Sequence, residues 1–218
     1  KQKTAYEMLR SLVGSEMCIR DSCRTNNRRK MDWRDIPGWF DFQDLYDRIY
    51  EELNSEDIFV EVGSFLGKST SYFCELIKKK GKTINFIQVD IWKRETDEYD
   101  MFLPEGVTDF KDIFMENLKD YLDIITPYQK TSYEASMLIP NGIVGAVFID
   151  AAHDYENVKL DIDCWVKKLK PNGIIAGHDI DFPTVWRAVR ERFDKFEVIN
   201  RSWITTKEQY RRNDEIIF

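Results

Sequence analysis

Residues 58–70 read Ile58-Phe59-Val60-Glu61-Val62-Gly63-Ser64-Phe65-Leu66-Gly67-Lys68-Ser69-Thr70. The short apolar run at the start predicts a strand that is buried on both faces, as in a parallel sheet. Gly63 and Gly67 lack Cβ atoms, so the backbone can turn sharply there and a ligand can approach it. Ser69 and Thr70 can cap a following helix. The stretch therefore predicts a strand, a tight turn and a helix around a nucleotide-type pocket.

Two ligand chemistries are compatible with this turn. A phosphate-binding loop requires the pattern G-x-x-x-x-G-K-[ST], and the spacing from Gly63 to Gly67 is one residue too short for it. Glu61 would also direct negative charge towards a phosphate. A pocket for a cationic or neutral nucleoside fits better, because an acid at the strand end attracts positive charge. An ordinary turn without a ligand is the third interpretation.

The chain has 218 residues, of which 43% are hydrophobic, and this is enough to bury one sizeable core. The segments 1–8 and 12–21 resemble translated sequencing-adapter and transposon-end DNA. We therefore expect residues 1–30 to be foreign to the native protein, or disordered, and leave them out of the fold analysis. Residues 31–218 are expected to form a single domain, with Met31 as the favoured native start.

Charge and cysteine content narrow the class of protein. Residues 31–218 contain 24 Lys and Arg against 36 Asp and Glu, a formal net charge of −12, which disfavours nucleic acid as a partner. No apolar run approaches membrane-spanning length, so no membrane association is expected. Cys74 and Cys164 lack metal-site spacing, and a reducing, cytoplasmic location fits them. The sequence contains no feature that fixes the oligomeric state.

Strand and helix patterns alternate along the rest of the chain. Such alternation predicts an α/β fold with a mostly parallel sheet. The predicted strands are 58–62, 83–89, 127–133, 144–149, 174–177, 196–199 and 203–205. The predicted helices are 41–53, 69–80, 109–122, 135–138, 155–169 and 184–193. The polar segment 91–107 is expected to be a loop over the site.

An acid ends the second predicted strand. Asp90 lies 27 residues after Gly63, and at this place in a doubly wound sheet an acid can accept hydrogen bonds from both ribose hydroxyls of a nucleoside. The alternative is a strand-end acid that faces only water.

The only two histidines of the chain, His153 and His178, fall just beyond the ends of two strands, together with Asp150, Asp179 and Asp181. Ligands bind at this edge in such sheets. A histidine could accept a proton from a substrate hydroxyl, or the acids could bind a divalent cation that lowers the hydroxyl pKa. Simple hydrogen bonding between histidines and loop carboxylates is the alternative without a function.

Four motifs resemble one known family. They are Glu61-Val62-Gly63-Ser64-Phe65-Leu66-Gly67-Lys68-Ser69-Thr70, Val89-Asp90-Ile91-Trp92, Phe148-Ile149-Asp150-Ala151-Ala152-His153-Asp154-Tyr155 and Asn172-Gly173-Ile174-Ile175-Ala176-Gly177-His178-Asp179. The chain from about Trp39 to Thr206 resembles class I S-adenosylmethionine-dependent methyltransferases. Within them it is similar to a small bacterial and phage group with the pattern E-x-G-S, F-I-D-x-x-H-x-Y and A-G-H-D. Asn172 replaces the usual glycine, and asparagine tolerates the same left-handed turn.

The resemblance implies a doubly wound, mostly parallel, seven-stranded Rossmann-like sheet with a C-terminal antiparallel hairpin. It also implies that S-adenosyl-L-methionine lies across the first strands. By position, the cofactor-binding residues would be Glu61, Gly63, Ser64, Gly67, Asp90, Ser132, Tyr133 and Asp150. Asp150 and His153 would be the catalytic residues. Some relatives hold Mg²⁺ or another divalent cation, which here would be bound by Asp150 and Asp179 with His178 or Asp181.

The function that the resemblance implies is methyl transfer from S-adenosylmethionine to a hydroxyl of a small molecule or sugar. The expected partner is therefore a small-molecule acceptor. The first alternative is a P-loop-like nucleotide-binding enzyme built on the glycine turn. The second is a non-catalytic module that binds S-adenosylmethionine.

Overall fold

The computed structural model describes residues 31–211, so our expectations for residues 1–30 lie outside the described part. It contains seven strands and six α-helices within that range. The strands are β1 (Ile58–Val62), β2 (Asn85–Asp90), β3 (Ile125–Gln129), β4 (Val144–Ile149), β5 (Leu169–Gly177), β6 (Glu197–Ile199) and β7 (Ser202–Thr206). The α-helices are α1 (Gln43–Glu52), α2 (Lys68–Lys80), α3 (Lys111–Asn117), α4 (Ser132–Leu138), α5 (Tyr155–Trp165) and α6 (Pro183–Arg192).

The strands form one sheet in the order β3-β2-β1-β4-β5-β7-β6. β1 to β5 are mutually parallel, and β7 runs antiparallel to both β5 and β6. The predicted α/β fold, with its closing antiparallel hairpin, is confirmed. Successive strands move outwards from β1 to β3 and then start again on its other side at β4. The carboxyl ends of β1 and β4 therefore flank the crevice in which doubly wound sheets bind ligands.

The helices cover both faces of this sheet. Two hydrophobic clusters lie on opposite faces, one against α1 to α3 and the other against α4 to α6. Short 3₁₀ helices at Trp33–Asp35, Asp97–Met101, Lys119–Tyr121 and Lys207–Gln209 complete the described secondary structure. Among residues 31–211, no helix has the length and apolar content needed to cross a bilayer.

Some predicted element bounds are wrong. The helix predicted to extend to Leu169 ends at Trp165, and Leu169 already belongs to β5. The strand then passes through Pro171-Asn172-Gly173, where the pairing register with β4 shifts and Asn172 adopts a φ of +60°. This turn sequence thus forms an irregularity inside a strand instead of the helix end, because pairing with β4 resumes at Ile174.

Two further elements differ from their predicted bounds. The third strand occupies Ile125–Gln129 and so lies earlier than the predicted 127–133. The predicted helix 109–122 is divided into α3 and a 3₁₀ turn at Lys119–Tyr121. Neither difference changes the order of strands in the sheet.

Side chains of β1 alternate between the two cores. Val60 and Val62 face the cluster beneath α4 to α6, and Phe59 faces the aromatic cluster beneath α1 to α3. Alternation places Glu61 on the same face as Phe59, and the Glu61 carboxylate is fully buried there. The charge of Glu61 therefore needs partners from the protein itself.

Four hydroxyl groups supply those partners. Tyr46 of α1 donates to Glu61 at 2.6 Å, and Ser64 of the turn donates at 2.7 Å. Ser69 and Thr70, in the first turn of α2, donate at 2.7 and 2.5 Å. Burial, followed by the Glu61 charge, raises the pKa of Tyr46 well above its usual value, which keeps its hydroxyl protonated as a donor. Glu61 thus ties a strand, a turn and two helices together.

Gly63 makes the turn possible for two separate reasons. Its φ of +90° lies in the left-handed region, and a Cβ atom there would lie 1.8 Å from the backbone oxygen of Asp150. At Gly67, which has a φ of +88°, a Cβ atom would meet Leu118 and Phe114 at 3.0 and 3.1 Å. Both glycines therefore allow close contact within the protein, whereas the sequence suggested that they leave room for a ligand.

Replacing Gly63 by Ala is expected to be far more destabilising than the same change at Gly81. Gly81 shares the positive φ, at +82°, but has open space around it. Gly81→Ala should lower the free energy of unfolding by about 1–2 kcal/mol, and the clash with Asp150 should cost Gly63→Ala roughly 3 kcal/mol or more. Urea unfolding of both variants measures the difference. Equal losses would show that the contact with Asp150 is unimportant.

Replacing Glu61 by Ala should leave four buried hydroxyls without their acceptor and lower the free energy of unfolding by about 3–5 kcal/mol. Glu61→Gln keeps one acceptor oxygen and should lose roughly half as much. Glu52→Gln is the control, because Glu52 pairs with Arg48 on the surface and such pairs contribute about 0–1 kcal/mol. Denaturant midpoints for Glu61→Ala close to those of the control would contradict the role of Glu61.

Candidate active site

The carboxyl ends of β2, β1, β4 and β5 bring the predicted site residues to one edge of the sheet. Contacts run continuously along this edge. The Asp90 carboxylate accepts a hydrogen bond from the β1–α2 turn. Gly63 of this turn lies against the Asp150 backbone. Asp150 follows β4, which pairs with β5, so it lies beside the residues that follow β5. The acids and histidines predicted from the four motifs therefore share one side of the molecule.

Asp90 is held by two backbone amides. Its Oδ2 accepts from Phe65 N at 2.9 Å and its Oδ1 from Trp92 N at 2.6 Å. Both donor residues have positive φ values, +45° for Phe65 and +47° for Trp92. Burial raises the pKa of Asp90 to about 6, although the amide hydrogen bonds act in the opposite direction. Each carboxylate oxygen keeps a further lone pair for a ligand hydroxyl.

Asp150 directly follows β4. Its backbone N–H donates to Val62 O at 2.8 Å, so it is fixed to the end of β1. Burial raises the pKa of the Asp150 carboxyl to about 6, partly offset by the positive charge of His178. The His178 Nδ1 atom lies 3.9 Å from Asp150 Oδ1.

His178 is buried among acids. Its Nε2 atom lies 2.8 Å from Asp41 Oδ1, at ion-pair distance but without the alignment of a hydrogen bond. Its Nδ1 atom lies 3.2 Å from Asp179 Oδ1, and its ring packs on Phe42 with centroids 4.9 Å apart. Burial works against the charged imidazole, but the hydrogen bond with Asp179 and the nearby Asp150 and Asp41 raise the pKa of His178 overall.

Asp179 is the centre of the polar cluster. Oδ2 contacts His153 Nε2 at 2.7 Å, whereas Oδ1 contacts Arg201 Nη2 at 2.6 Å as well as His178. Burial opposes ionisation, yet the hydrogen bonds from His153 and His178 hold the pKa of Asp179 well below its usual value. Its φ of +54° is a strained backbone conformation for this residue type, and such strain concentrates at functional sites.

His153 is the more accessible histidine, with 38% of its side chain exposed. Its ring stacks on Phe182, with centroids 5.0 Å apart and planes at 16°. Its backbone oxygen accepts from Thr184 Oγ1 at 2.6 Å. The contact with Asp179 favours the tautomer with a proton on Nε2, so the lone pair resides on Nδ1. The arrangement resembles a carboxylate-oriented base.

Not all predicted site residues present their side chains to the crevice. Glu61 and Ser64 hydrogen-bond to each other beneath the turn. Ser132 begins α4 and accepts from Trp165 Nε1 at 2.8 Å. Tyr133, next to it, is half-exposed at the β3 end of the sheet. Direct cofactor contacts of these four side chains, predicted from the sequence, stay predictions.

Three side chains are close enough to share a cation. The potential ligand atoms of Asp150, His153 and Asp179 all lie within 4.8 Å of one another. Asp181, which the sequence offered as a further ligand, instead pairs with Arg201 at 3.0 Å. Both oxygens of Asp179 already have cationic or donor partners. A cation at this cluster would compete with these partners for the carboxylate.

Asp41, Phe182 and Arg201 contact the site but were not predicted from the sequence. The position of Arg201 follows only once the strand register is known. The antiparallel register pairs Gly177 with Trp203. Two residues after Gly177 and two residues before Trp203, the same register brings Asp179 beside Arg201. For Asp41 and Phe182 no local pattern pointed to the site.

Aromatic residues from two segments meet above the β1–α2 turn. Trp39 contacts Phe102 edge-on at 4.5 Å between centroids, and Phe65 stacks with Tyr99 at 5.2 Å. Trp39 is 55% exposed. Since Asp41 contacts His178, the segment with Trp39 lies close to the polar cluster. The predicted loop 91–107 therefore packs, through Tyr99 and Phe102, on the turn beside the site.

Known structures have the same fold. The chain resembles the O-methyltransferase NovP with a TM-score of 0.55 and 12% identity, covering 76% of this chain and 77% of that one. It resembles CalS11, described as a TDP-rhamnose 3'-O-methyltransferase, with a TM-score of 0.54 and 12% identity over 75% and 77% of the two chains. At these identities the similarity establishes the fold alone.

A sequence relative and a family profile extend the comparison. The uncharacterized protein y4gI of Sinorhizobium fredii (strain NBRC 101917 / NGR234) is 28% identical over 122 residues, which is 56% of this chain but only 13% of that protein. A family profile described as "Methyltransferase domain" matches residues 60–180, more than half of the chain. These residues include all four motifs completely. The narrower bacterial and phage group stays a prediction. The chain belongs to the methyltransferase-domain family.

Proposed function

We propose that this protein transfers the methyl group of S-adenosyl-L-methionine to a hydroxyl of a small molecule or sugar. The observation that carries the proposal is the shared position of two groups at the crevice between β1 and β4. The Asp90 carboxylate lies on one side of Gly63, and the His153–Asp179 pair lies on the other. One group suits a nucleoside and the other suits a proton transfer.

The fixed groups of the crevice fit this cofactor. Asp90 retains lone pairs that can accept both ribose hydroxyls while its amide partners stay in place. Asp150 and Asp90 give the crevice negative charge, which favours a sulfonium over an anion. Gly63, Ser64 and Gly67 would form the turn beside the methionine part, with Ser132 and Tyr133 near the adenine. When bound, S-adenosylmethionine supplies an electrophilic methyl group on a positively charged sulfur.

Glu61 contributes to binding indirectly. Its oxygens accept four hydroxyl hydrogen bonds beneath the turn, so it shapes the surface on which the cofactor would lie. We assign direct contact with the ribose to Asp90, a residue that is only partly buried and whose carboxylate accepts from two backbone amides.

His153 is the proposed general base. With its Nε2 proton directed at Asp179, His153 would accept the proton of the acceptor hydroxyl on Nδ1, while the methyl group passes from sulfur to that oxygen and S-adenosylhomocysteine is left as the second product. Asp179 then stabilises the imidazolium that forms. Stacking on Phe182 limits rotation of the ring, which reduces the entropy lost when acceptor and base align. Asp150 would face the transferred methyl group from the end of β4.

The acceptor class rests on two features. The structural neighbours CalS11 and NovP carry the names of a sugar 3'-O-methyltransferase and an O-methyltransferase. In this chain, an exposed aromatic side chain, Trp39, packs on Phe65 of the β1–α2 turn and lies two residues before Asp41, which contacts His178. Aromatic faces bind planar and apolar ring surfaces. A small hydroxylated ring compound is therefore the proposed partner, in a cytoplasmic setting.

The residues that would hold a divalent cation have other partners in this structure. Asp150, His153 and Asp179 offer two carboxylates and one imidazole, a donor set suited to several metals. The Asp179 oxygens already contact His153 and Arg201, so an ion would compete with these partners. We therefore derive no step through a cation and assign the proton to His153.

The decisive measurement separates this function from its alternatives. Calorimetry with S-adenosylmethionine, S-adenosylhomocysteine and ATP should detect binding of the first two. Release of S-adenosylhomocysteine in the presence of sugars, nucleotide sugars and catechols then tests for turnover. Tight ATP binding without S-adenosylmethionine binding would favour a nucleotide enzyme. Cofactor binding without turnover on any acceptor would favour a non-catalytic module.

Replacing His153 by Ala should lower kcat by about 10²–10⁴-fold, the usual contribution of a general base. Affinity for S-adenosylhomocysteine should change little, since His153 is not assigned to the cofactor. Initial rates together with calorimetry measure both quantities. Glu156→Gln, at an exposed position in the first turn of α5, is the control. Wild-type turnover in the His153 variant would remove it from the mechanism.

Replacing Asp90 by Asn should reduce cofactor affinity, which the His153 variant is expected to retain. Loss of charged hydrogen bonds should lower the affinity for S-adenosylhomocysteine roughly 10- to 100-fold. Because burial raises the pKa of Asp90 to about 6, the wild-type carboxylate is ionised above that pH and protonated below it. Wild-type affinity should therefore fall as the pH drops from 7 to 5.

Calorimetry across this pH range should find a weaker pH dependence in Asp90→Asn. Asp109→Asn serves as the matched control. Asp109 lies at the end of the loop that begins after Asp90, but it is exposed and accepts a hydrogen bond from Gln129. A variant at Asp90 that binds the nucleoside as tightly as the control does would contradict the ribose contact.

A further inference from the structure

Arg201 brings a positive charge into the polar cluster from a distant part of the chain. It lies in the turn between β6 and β7. Its guanidinium contacts two acids, with Nη2 2.6 Å from Asp179 Oδ1 and Nε 3.0 Å from Asp181 Oδ2. The two acids flank the start of the β5–α6 loop, so one planar side chain fixes that loop at two points.

The backbone fixes where this side chain can go. The antiparallel pairing of β5 and β7 extends to Gly177, at the end of β5, which is opposite Trp203 near the start of β7. Beyond it, Ile180 N donates to Arg201 O at 3.0 Å. Arg201 is therefore anchored between the two acids that its guanidinium contacts. An anchored backbone lowers the entropy lost when a long side chain forms two ion pairs.

The cluster contains more acids than bases. Asp41, Asp150, Asp179 and Asp181 approach one another through His178, His153 and Arg201. Of the three basic groups, Arg201 is the one whose charge does not depend on pH in the physiological range. It occupies Oδ1 of Asp179, and His153 occupies Oδ2. Asp179 thus has its positive partners without a metal ion.

We propose that Arg201 is a positioning residue whose guanidinium fills the cation position at Asp179 and fixes this carboxylate so that it orients His153. The proposal rests on the proposed function of His153 as the base. Arg201 touches neither acceptor nor cofactor in this scheme, and acts only through Asp179. Its removal would leave Oδ1 with His178 as its remaining partner and would leave the acidic cluster short of one positive charge, so that a cation could bind there.

The test compares Arg201→Ala, Arg201→Lys and Arg48→Ala in the full chain. Arg48 is a matched control, because it also contacts two acids through Nε and Nη1, at 3.0 and 2.6 Å, with 40% of its side chain exposed against 45% for Arg201. Arg48 lies on α1, and its partners Glu52 and Glu197 are surface residues.

For Arg201→Ala we expect kcat to fall roughly 10- to 100-fold, as for loss of a residue that orients a ligand or base, with the KM for S-adenosylmethionine unchanged. Millimolar guanidinium should restore part of the rate. Arg201→Lys should retain more activity than Arg201→Ala, since it keeps the charge but loses the fork that spans two acids. Arg48→Ala should match the wild type. Unchanged kcat in Arg201→Ala would overturn the proposal.

A second measurement is independent of turnover. Titration with Mn²⁺ alone, followed by electron paramagnetic resonance, should detect no tight site in the wild type or in Arg201→Lys, and a new site in Arg201→Ala. The double variant Arg201→Ala, Asp179→Asn should lack this Mn²⁺ site, which would support the assignment of the cation position to Asp179. Equal Mn²⁺ binding by wild type and Arg201→Ala would overturn it. If no acceptor is ever methylated, the proposed function fails, whereas this titration still decides whether Arg201 fills the cation position.

Discussion

The structure depends on one buried carboxylate. Glu61 lies near the carboxyl end of β1, on the face that also carries Phe59. Four hydroxyls from α1, the β1–α2 turn and α2 donate to its carboxylate. A buried charge is costly without such donors, so the position of each of these elements is coupled to the others. The turn that carries Gly63 and Phe65 is consequently fixed before any ligand arrives. A crevice with fixed walls binds without a large ordering cost.

The site is a balance of charge across neighbouring strand ends. Acids follow β2, β4 and β5, and their side chains are held by amides on one side of the crevice and by imidazoles and a guanidinium on the other. The amide-bound side suits neutral ligand hydroxyls, whereas the imidazole side suits proton transfer. In the proposed function, the two sides of this sheet edge thus have separate roles, cofactor binding and proton transfer, which differ in the type of donor that holds each acid.

Much of this arrangement could be predicted from the sequence. Parallel strands end at a common edge, so Asp90, Asp150 and His153 could be assigned to one site from the strand pattern alone. The burial of Glu61 could not be predicted, because an acid after an apolar run reads as exposed until hydroxyls from two helices are known to converge on it. The turn signal Pro171-Asn172-Gly173 was misleading, since sheet pairing overrides local preference. The Arg201 contact depends on strand register, which the sequence pattern does not fix.

The position of Arg201 also makes the polar cluster depend on the closing hairpin. Arg201 precedes β7, and β7 reaches the cluster by pairing with β5. In a chain whose hairpin is not paired with β5, the acids around His178 would lack the guanidinium and repel one another. Docking of the hairpin relieves this repulsion and completes the sheet. A chain with an unpaired hairpin could keep the pairing of β1 to β5 but would have an unfinished site.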